Sequence, residues 1–229
     1  MATRTVLVTG ANRGIGREVA RQLVDAGDDV AVTARDLTAA EKVAGELGPG
    51  AMAIRLDVTD QASVDAAARL VEDRFGRLDV LVNNAATHYD TWQRASSADL
   101  RIVQEALDTN LLGPWRVTLA LLPILRRGAH GRIVNVSSQS GSLASMGAGT
   151  PGYHVSKAGL NALTRTLAAE LRSDDILVNA VCPGWVATDM GGPGGSPVAD
   201  GAASVVWAVE LPDNGPTGGF FRHGRPVPW

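Results

Sequence analysis

The sequence predicts a single α/β domain built around a parallel sheet, and three observations carry that prediction. Short apolar runs alternate with helical apolar stripes along the whole chain, with no internal repeat and no interdomain linker. A glycine-rich turn joins the first run to the first stripe, and a second run follows to complete a β-α-β unit. At 229 residues the chain is long enough for one such domain with a substantial core and too short for two of ordinary size.

Thr5-Val6-Leu7-Val8-Thr9 reads as a buried strand. Gly10-Ala11-Asn12-Arg13-Gly14-Ile15-Gly16 breaks it before Ile15, Val19, Ala20, Leu23 and Val24 set a helical stripe, which Gly27 stops. A second strand is expected over 29–34, a short polar helix over 38–47, a Gly-Pro-Gly turn at 48–50 and a third strand over 52–58. A helix over 61–75 precedes an apolar strand that begins at Leu78 and ends in Asn83 and Asn84.

A long helix is expected over 98–125, carrying Asn110 and then Gly113-Pro114 in its interior. Asn is a poor helix former and Gly-Pro distorts a helix, a local conflict of the kind that often marks a functional position. The fifth strand, 131–138, ends in Ser137 and Ser138, and the next helix opens at Tyr153 with Leu160, Leu163, Leu167 and Leu171 on its apolar stripe. A sixth strand over 176–181 runs into Cys182-Pro183-Gly184-Trp185. The stretch near 189–197 is rich in glycine and proline, has too little apolar content to pack, and is expected to be a mobile loop. A helix over 198–211 and a short strand at 219–221 close the chain.

Strand, glycine turn and helix N-terminus together suit an anion, because free backbone N–H groups point at a phosphate and glycine lets it approach; a merely structural tight turn is the competing reading. The end of the second strand is where a dinucleotide site inspects the adenosine ribose. Ala34 offers no carboxylate there, while Arg35, helped by Arg13, could clamp a 2′-phosphate, which favours NADP(H) over NAD. Asp36 is the contrary residue; it is read as a helix cap or a partner for Arg35. Asp57-Val58 and Asn83-Asn84 also fall at the carboxyl edge of the sheet, where open parallel sheets bind ligands.

Tyr153 and Lys157, four residues apart, share one helix face. An ammonium one turn from a phenol favours the phenolate and is expected to draw its pKa toward neutrality, so that the pair could move a proton between an alcohol and a carbonyl. An exposed Tyr beside a solvated Lys has the same spacing.

Lys plus Arg number 21 against 24 Asp plus Glu, a formal charge of −3, which points to neither a nucleic-acid nor a membrane partner. The start of the chain, Met1 to Thr5, shows no signal-peptide core, and no run is long enough to span a bilayer, so a cytoplasmic protein is expected. Cys182 is the only cysteine, which excludes an internal disulfide and a cysteine metal cluster; no metal site is expected.

Thr9-Gly10-Ala11-Asn12-Arg13-Gly14-Ile15-Gly16, Asn83-Asn84-Ala85, Asn110, Val136-Ser137-Ser138, Tyr153 with Lys157, and Pro183-Gly184 occur in an order and spacing that is specific as a set. In these motifs the chain resembles the short-chain dehydrogenase/reductase family over essentially its whole length. Thr33-Ala34-Arg35-Asp36 and the run Cys182 to Met190 look like the NADPH-dependent carbonyl reductases within it. The resemblance implies a Rossmann fold, a seven-stranded parallel sheet in order 3-2-1-4-5-6-7 with helices on both faces. It also implies reduction of a ketone or aldehyde by hydride transfer.

Carried over, Tyr153 would protonate the forming alkoxide, Lys157 would lower its pKa and hold the nicotinamide ribose, Ser138 would orient the substrate carbonyl, and Asn110 would hold a water leading to Lys157. Gly10, Asn12, Arg13, Gly14, Ile15, Gly16, Arg35, Asp57, Val58, Asn84, Pro183, Gly184, Val186 and Thr188 would line the cofactor. The family usually has Gly where this chain has Ala86. The chain also lacks the insertion before the tyrosine that covers the helices relatives use to associate, so a homodimer or homotetramer on the helices around 98–125 and 153–172 is expected. An NAD-dependent secondary-alcohol dehydrogenase and a non-catalytic NADP-sensing regulator are the alternatives. Thr87 to Trp92, with Met146, His154 and Trp185, are read as the substrate side, with room for an apolar or aromatic molecule.

Overall fold

The computed structural model describes residues 3–87 and 89–229; Met1, Ala2 and His88, which the sequence reading includes at the start of the chain and in the substrate wall, lie outside the described residues. Strands β1 (Thr5–Val8), β2 (Asp29–Ala34), β3 (Ala51–Arg55), β4 (Val80–Asn83), β5 (Arg132–Val136), β6 (Leu177–Val181), β7 (Phe220–Arg222) and β8 (Arg225–Pro226) form one sheet. Its order is β3-β2-β1-β4-β5-β6-β7-β8. The first seven are parallel, as expected, and β8 adds an antiparallel edge that the sequence reading did not contain. Helices α1 (Gly14–Asp25), α2 (Leu37–Leu47) and α3 (Gln61–Phe75) connect the first strands; α4 (Leu100–Leu107), α5 (Gly113–Leu125), α6 (Pro151–Glu170) and α7 (Val198–Val209) connect the rest.

The apolar strands bury both faces, and their two-residue period divides the core. In β1, Leu7 packs with α3, α5 and α6, while Val6 and Val8 pack with α1, α2 and α7. Leu81 and Val80/Val82 in β4, and Ile133 and Val134/Val136 in β5, repeat that division. The predicted α6 stripe of Leu160, Leu163, Leu167 and Leu171 is buried on the first of these layers. Burial of each such side chain favours folding by about 1.5–3 kcal/mol.

Several boundaries move, each for a local reason. The third strand stops at Arg55 rather than 58, because the Asp57 carboxylate accepts from Thr59 N and Thr59 Oγ1 and turns the chain. The fifth strand ends at Val136, where Ser138 accepts from Ser140 N and starts a short 3₁₀ turn over Gln139–Gly141. The sixth begins at Leu177, since Ile176 N closes on Leu171 O, and the last helix stops at Val209, before Pro212. The seventh strand is shifted by one residue, to Phe220–Arg222.

The single helix expected over 98–125 is three pieces. Asp99 caps α4 by accepting from Arg101 N, a π-helical turn spans Asp108–Leu112, and α5 restarts at Gly113-Pro114. The conflict seen at Asn110 is thus resolved by widening the helix locally, a device that frequently accompanies functional sites.

Candidate active site

The carboxyl ends of the parallel strands open on a cleft of about 500 Å³. At its near wall β1 enters the glycine turn with Gly10 at φ +63° and Gly14 at φ +54°, left-handed conformations that favour glycine. Gly16 is required by space: a Cβ there would lie 2.5 Å from Gly10 O. Asn84, from the end of β4, holds the turn by donating Nδ2 to Thr9 O and Gly10 O at 2.9 and 3.1 Å. No side chain caps α1, so its first N–H groups are left for a ligand.

Of the residues expected to line a cofactor, Gly10, Asn12, Arg13, Gly14, Ile15, Gly16, Arg35, Asp57, Val58, Asn84, Tyr153, Lys157, Pro183 and Thr188 line this cleft. Gly184 and Val186 do not: Gly184 backs onto Arg222, and Val186 is buried against Gly201. Ala86 lines the wall without a left-handed backbone, so the missing glycine is accommodated at ordinary φ. Asp36 is the cap of α2, accepting from Thr38 N at 3.0 Å, which is one of the two roles read for it. Arg13 differs from expectation. Its guanidinium, expected to help Arg35, pairs at 2.9 Å with Asp189 at the exposed mouth of the cleft.

At the far end α6 presents Tyr153 and Lys157. Both are buried, which removes the solvated-surface reading of the pair. Lys157 Nζ donates to Val136 O at 2.7 Å and lies 5.6 Å from the Tyr153 ring centroid. The Ser138 hydroxyl hydrogen-bonds the Tyr153 phenol, although neither Ser138 nor Asn110 lines the cleft itself.

The expected pull of Tyr153 toward neutrality is corrected. Burial pushes the phenol above its ordinary value and the Ser138 hydrogen bond offsets this only in part. Lys157 is the group that moves toward neutrality: burial lowers its ammonium to about 8. The reason is that a low-dielectric site disfavours the charged form of each group, phenolate and ammonium alike.

Asn110 does not reach Lys157 through its side chain. The amide Nδ2 donates to Thr87 O and Ser156 Oγ, both at 3.0 Å, and Oδ1 accepts from Thr87 N at 2.8 Å. It therefore pins the wall after β4 to α6. Asn161, one turn beyond Lys157, does the same for the other wall, accepting from Ser137 Oγ at 2.6 Å and donating to Gly141 O at 3.1 Å.

On the substrate side, Trp92, Met146, His154 and Trp185 are not in the cleft lining; Trp185 donates to Gly191 O within its own loop. That loop is less open than expected. Ala187 N bonds Ser196 O and Ser196 N bonds Trp185 O, so its two ends pair. Sequence reasoning did not single out Thr59, Thr109 and Ser137 in the lining, and it placed Asp90 only within the 87–92 substrate wall, not as the carboxylate that accepts from Gly152 N and Tyr153 N. An Asp in a polar loop carries no sequence signal that separates it from a turn residue. Among the described residues no cluster suits a metal ion, and no helix is long and apolar enough to cross a membrane.

Residues 4–196 match the family model for short chain dehydrogenase, and the chain belongs to that family. The 3-oxoacyl-[acyl-carrier-protein] reductase of Synechocystis is 38% identical over 194 residues, covering 83% of this chain and 77% of that protein. Its counterpart in Staphylococcus aureus is 39% identical over 193 residues, covering 82% and 76%. Among solved structures, an NADPH-bound carbonyl reductase from chicken fatty liver superposes with a TM-score of 0.91 at 31% identity, over 100% of this chain and 95% of that one. Carbonyl reductase Sniffer of D. melanogaster gives 0.90 at 26% identity over 100% of both. The chain is an oxidoreductase fold with the sheet order 3-2-1-4-5-6-7 that the sequence implied.

Proposed function

We propose that this protein reduces a ketone or aldehyde to an alcohol with NADPH. The observation that carries the reading is the buried Tyr153 and Lys157 pair, with Ser138 beside the phenol, at one end of a cleft whose opposite end is an uncapped helix N-terminus. The residues fit a dinucleotide. Gly16 leaves the room a Cβ would take, the first turn of α1 would hold the pyrophosphate, and Asn12, Asp57 and Val58 would flank the adenosine. Arg35, with the Asp36 carboxylate spent on Thr38 N, supports a 2′-phosphate over a free ribose hydroxyl. Pro183, Gly184, Val186 and Thr188 belong to the segment that would close over the nicotinamide end.

When bound, the nicotinamide supplies the hydride. The chain supplies the rest. Ser138 and Tyr153 donate to the carbonyl oxygen, where negative charge develops. A phenol that burial keeps protonated is suited to give its proton to an alkoxide, a far stronger base than the phenolate left behind. Lys157, at about 8, carries its positive charge at neutral pH beside that developing phenolate. Asn110 would act by holding Thr87 and Ser156.

The names of the curated relatives and structural neighbours, which describe reductases of 3-oxo and carbonyl groups, support the same reaction. A second copy of the chain is the proposed partner: Leu112, at the end of the π-helical turn, and Trp115 and Leu119 of α5 are exposed, and this apolar face would be covered by a symmetry mate. Initial rates of NADPH and NADH oxidation over a panel of ketones, aldehydes and quinones test the reading. NADPH-preferring turnover that collapses in Tyr153→Phe is expected; tight NADPH binding with no turnover would favour the sensing regulator, and an equal or better rate with NAD and a secondary alcohol the dehydrogenase.

A further inference from the structure

Helix α6 has an awkward beginning. Thr150, just before it, adopts a left-handed backbone at φ +38° and provides no side-chain cap, and Pro151 has no N–H to give. The first free donors of the helix are therefore Gly152 N and Tyr153 N, the latter on the catalytic tyrosine itself. Both are taken by one carboxylate from elsewhere in the chain. Asp90 Oδ2 accepts from Gly152 N at 2.9 Å and Asp90 Oδ1 from Tyr153 N at 3.1 Å. Asp90 is fully buried.

The approach depends on Gly152, where a Cβ would lie 3.2 Å from Asp90 Oδ2 and 3.3 Å from Val103 Cα. Gln93 orients the carboxylate by donating Nε2 to Oδ2 at 3.1 Å, and its Oε1 accepts from Asp99 N at the start of α4. The adjacent Tyr89 ring meets the Tyr153 ring edge-on with centroids 5.2 Å apart. Two residues further back, Thr87 is tied by Asn110 to Ser156, whose hydroxyl donates to Tyr153 O. The turn carrying the phenol is thus bonded to the 87–93 wall on its N–H side through Asp90 and on its C=O side through Ser156 and Asn110.

We propose that Asp90 is a positioning residue for the reaction, its carboxylate fixing the first turn of α6 so that the Tyr153 phenol is held in register with Ser138 and the substrate wall. The inference rests on the reading of Tyr153 as the proton donor. Proton transfer to an oxygen held at hydrogen-bond distance is sensitive to placement, and an error of about 1 Å costs on the order of 100-fold in rate. An ordinary helix cap would affect stability alone.

The test compares Asp90→Asn and Asp90→Ala with the unaltered enzyme for kcat, KM, NADPH affinity and the primary deuterium isotope effect with 4-deuterated NADPH, on a carbonyl the enzyme turns over. Positioning predicts a kcat lower by roughly 10–100-fold, NADPH affinity within twofold, and a larger isotope effect as the chemical step becomes limiting. Asp90→Asn should retain more activity than Asp90→Ala, because its amide oxygen keeps one of the two bonds. A kcat per NADPH-binding site and an isotope effect unchanged in Asp90→Asn would overturn the proposal, whatever happens to the melting temperature, and this variant decides the matter if Asp90→Ala fails to fold. Tyr153→Phe is the control on the reading beneath. If it stays active, or if no carbonyl is reduced at all, that reading fails, and the tether is judged by amide exchange at Gly152 and Tyr153, which must speed up in Asp90→Asn; unchanged exchange would sink it.

Discussion

Arg13 Nη1 lies 2.9 Å from Asp189 Oδ2, so an exposed ion pair joins the glycine turn to the loop that follows β6 across the mouth of the cleft. The guanidinium that would serve a 2′-phosphate is therefore already engaged. Exposed pairs are weak, typically below about 1 kcal/mol and weaker still in salt. Asp189→Asn should free Arg13 and tighten NADPH binding by about two- to fivefold at low ionic strength, with a smaller change for NADH. Fluorescence titration at two salt concentrations checks this; equal changes for the two cofactors would show that Arg13 does not meet the phosphate.

Arg35 lines the same cleft just past Ala34, the last residue of β2, and the adjacent Asp36 carboxylate accepts from Thr38 N. Loss of a charge-assisted phosphate contact costs roughly 1.5–3 kcal/mol. Arg35→Ala should raise the dissociation constant for NADPH by about 10–100-fold and leave that for NADH nearly unchanged, read from the same titration.

Lys157 makes stability depend on pH in a definite direction. Its ammonium titrates at about 8 in the folded chain because of burial, against 10.5 for an ordinary lysine. Between those values the unfolded chain binds more protons, so the burial penalty is full below about pH 8 and is relieved as the pH rises. Tyr153, raised by burial, acts oppositely: above about pH 10 the folded state holds the proton that the unfolded state loses, and stability falls. Urea unfolding of the unaltered protein relative to Lys157→Met should therefore gain on the order of 2 kcal/mol from pH 8 to pH 10. A flat difference would mean that the lysine is charged throughout.

Gly141 sits where the segment after Ser138 touches α6. A Cβ there would lie 2.7 Å from Lys157 C and 2.8 Å from Lys157 O, backbone atoms that cannot swing aside. Gly141→Ala should destabilise the fold by about 1–3 kcal/mol and lower kcat more than NADPH affinity, since it moves Ser138 relative to Tyr153. Thermal unfolding with steady-state kinetics separates the two effects.

The loop near 189–197 pairs its own ends and carries Asp189 and Met190 into the cleft wall. It should close over cofactor and substrate as a unit, with glycine absorbing the movement. Amide exchange across 189–197 is expected to slow by at least about tenfold when NADPH and a substrate analogue bind; unchanged exchange would make it a connector only.

Much of the fold was legible because its signals are local. The two-residue period of Val6-Leu7-Val8 and the helical spacing of Leu160, Leu163 and Leu167 report burial without knowledge of any partner. Gly10 and Gly16 announce a turn, Asp36 announces a cap, and Tyr153 with Lys157 share a face by helical arithmetic alone. What the sequence left open lay where one segment answers to another. The conflict at Asn110 marked a special position within one helix, but not that its amide joins Thr87 to Ser156.

By itself, then, the sequence implied through its motifs the strand order that the structure shows, and it pointed to the residues proposed here for the nucleotide end of the cleft and for proton transfer. Tertiary structure alone decided the state of that group and what holds it. Burial, which depends on every element packed around α6, keeps the Tyr153 proton on and brings Lys157 down to about 8, against the pairwise expectation that spacing gave. The Asp90 cap, 63 residues from Tyr153 along the chain, and the Arg13–Asp189 pair, 176 residues apart, are set by folding, because a hydrogen bond depends on distance in space and a local pattern holds no information about partners so remote.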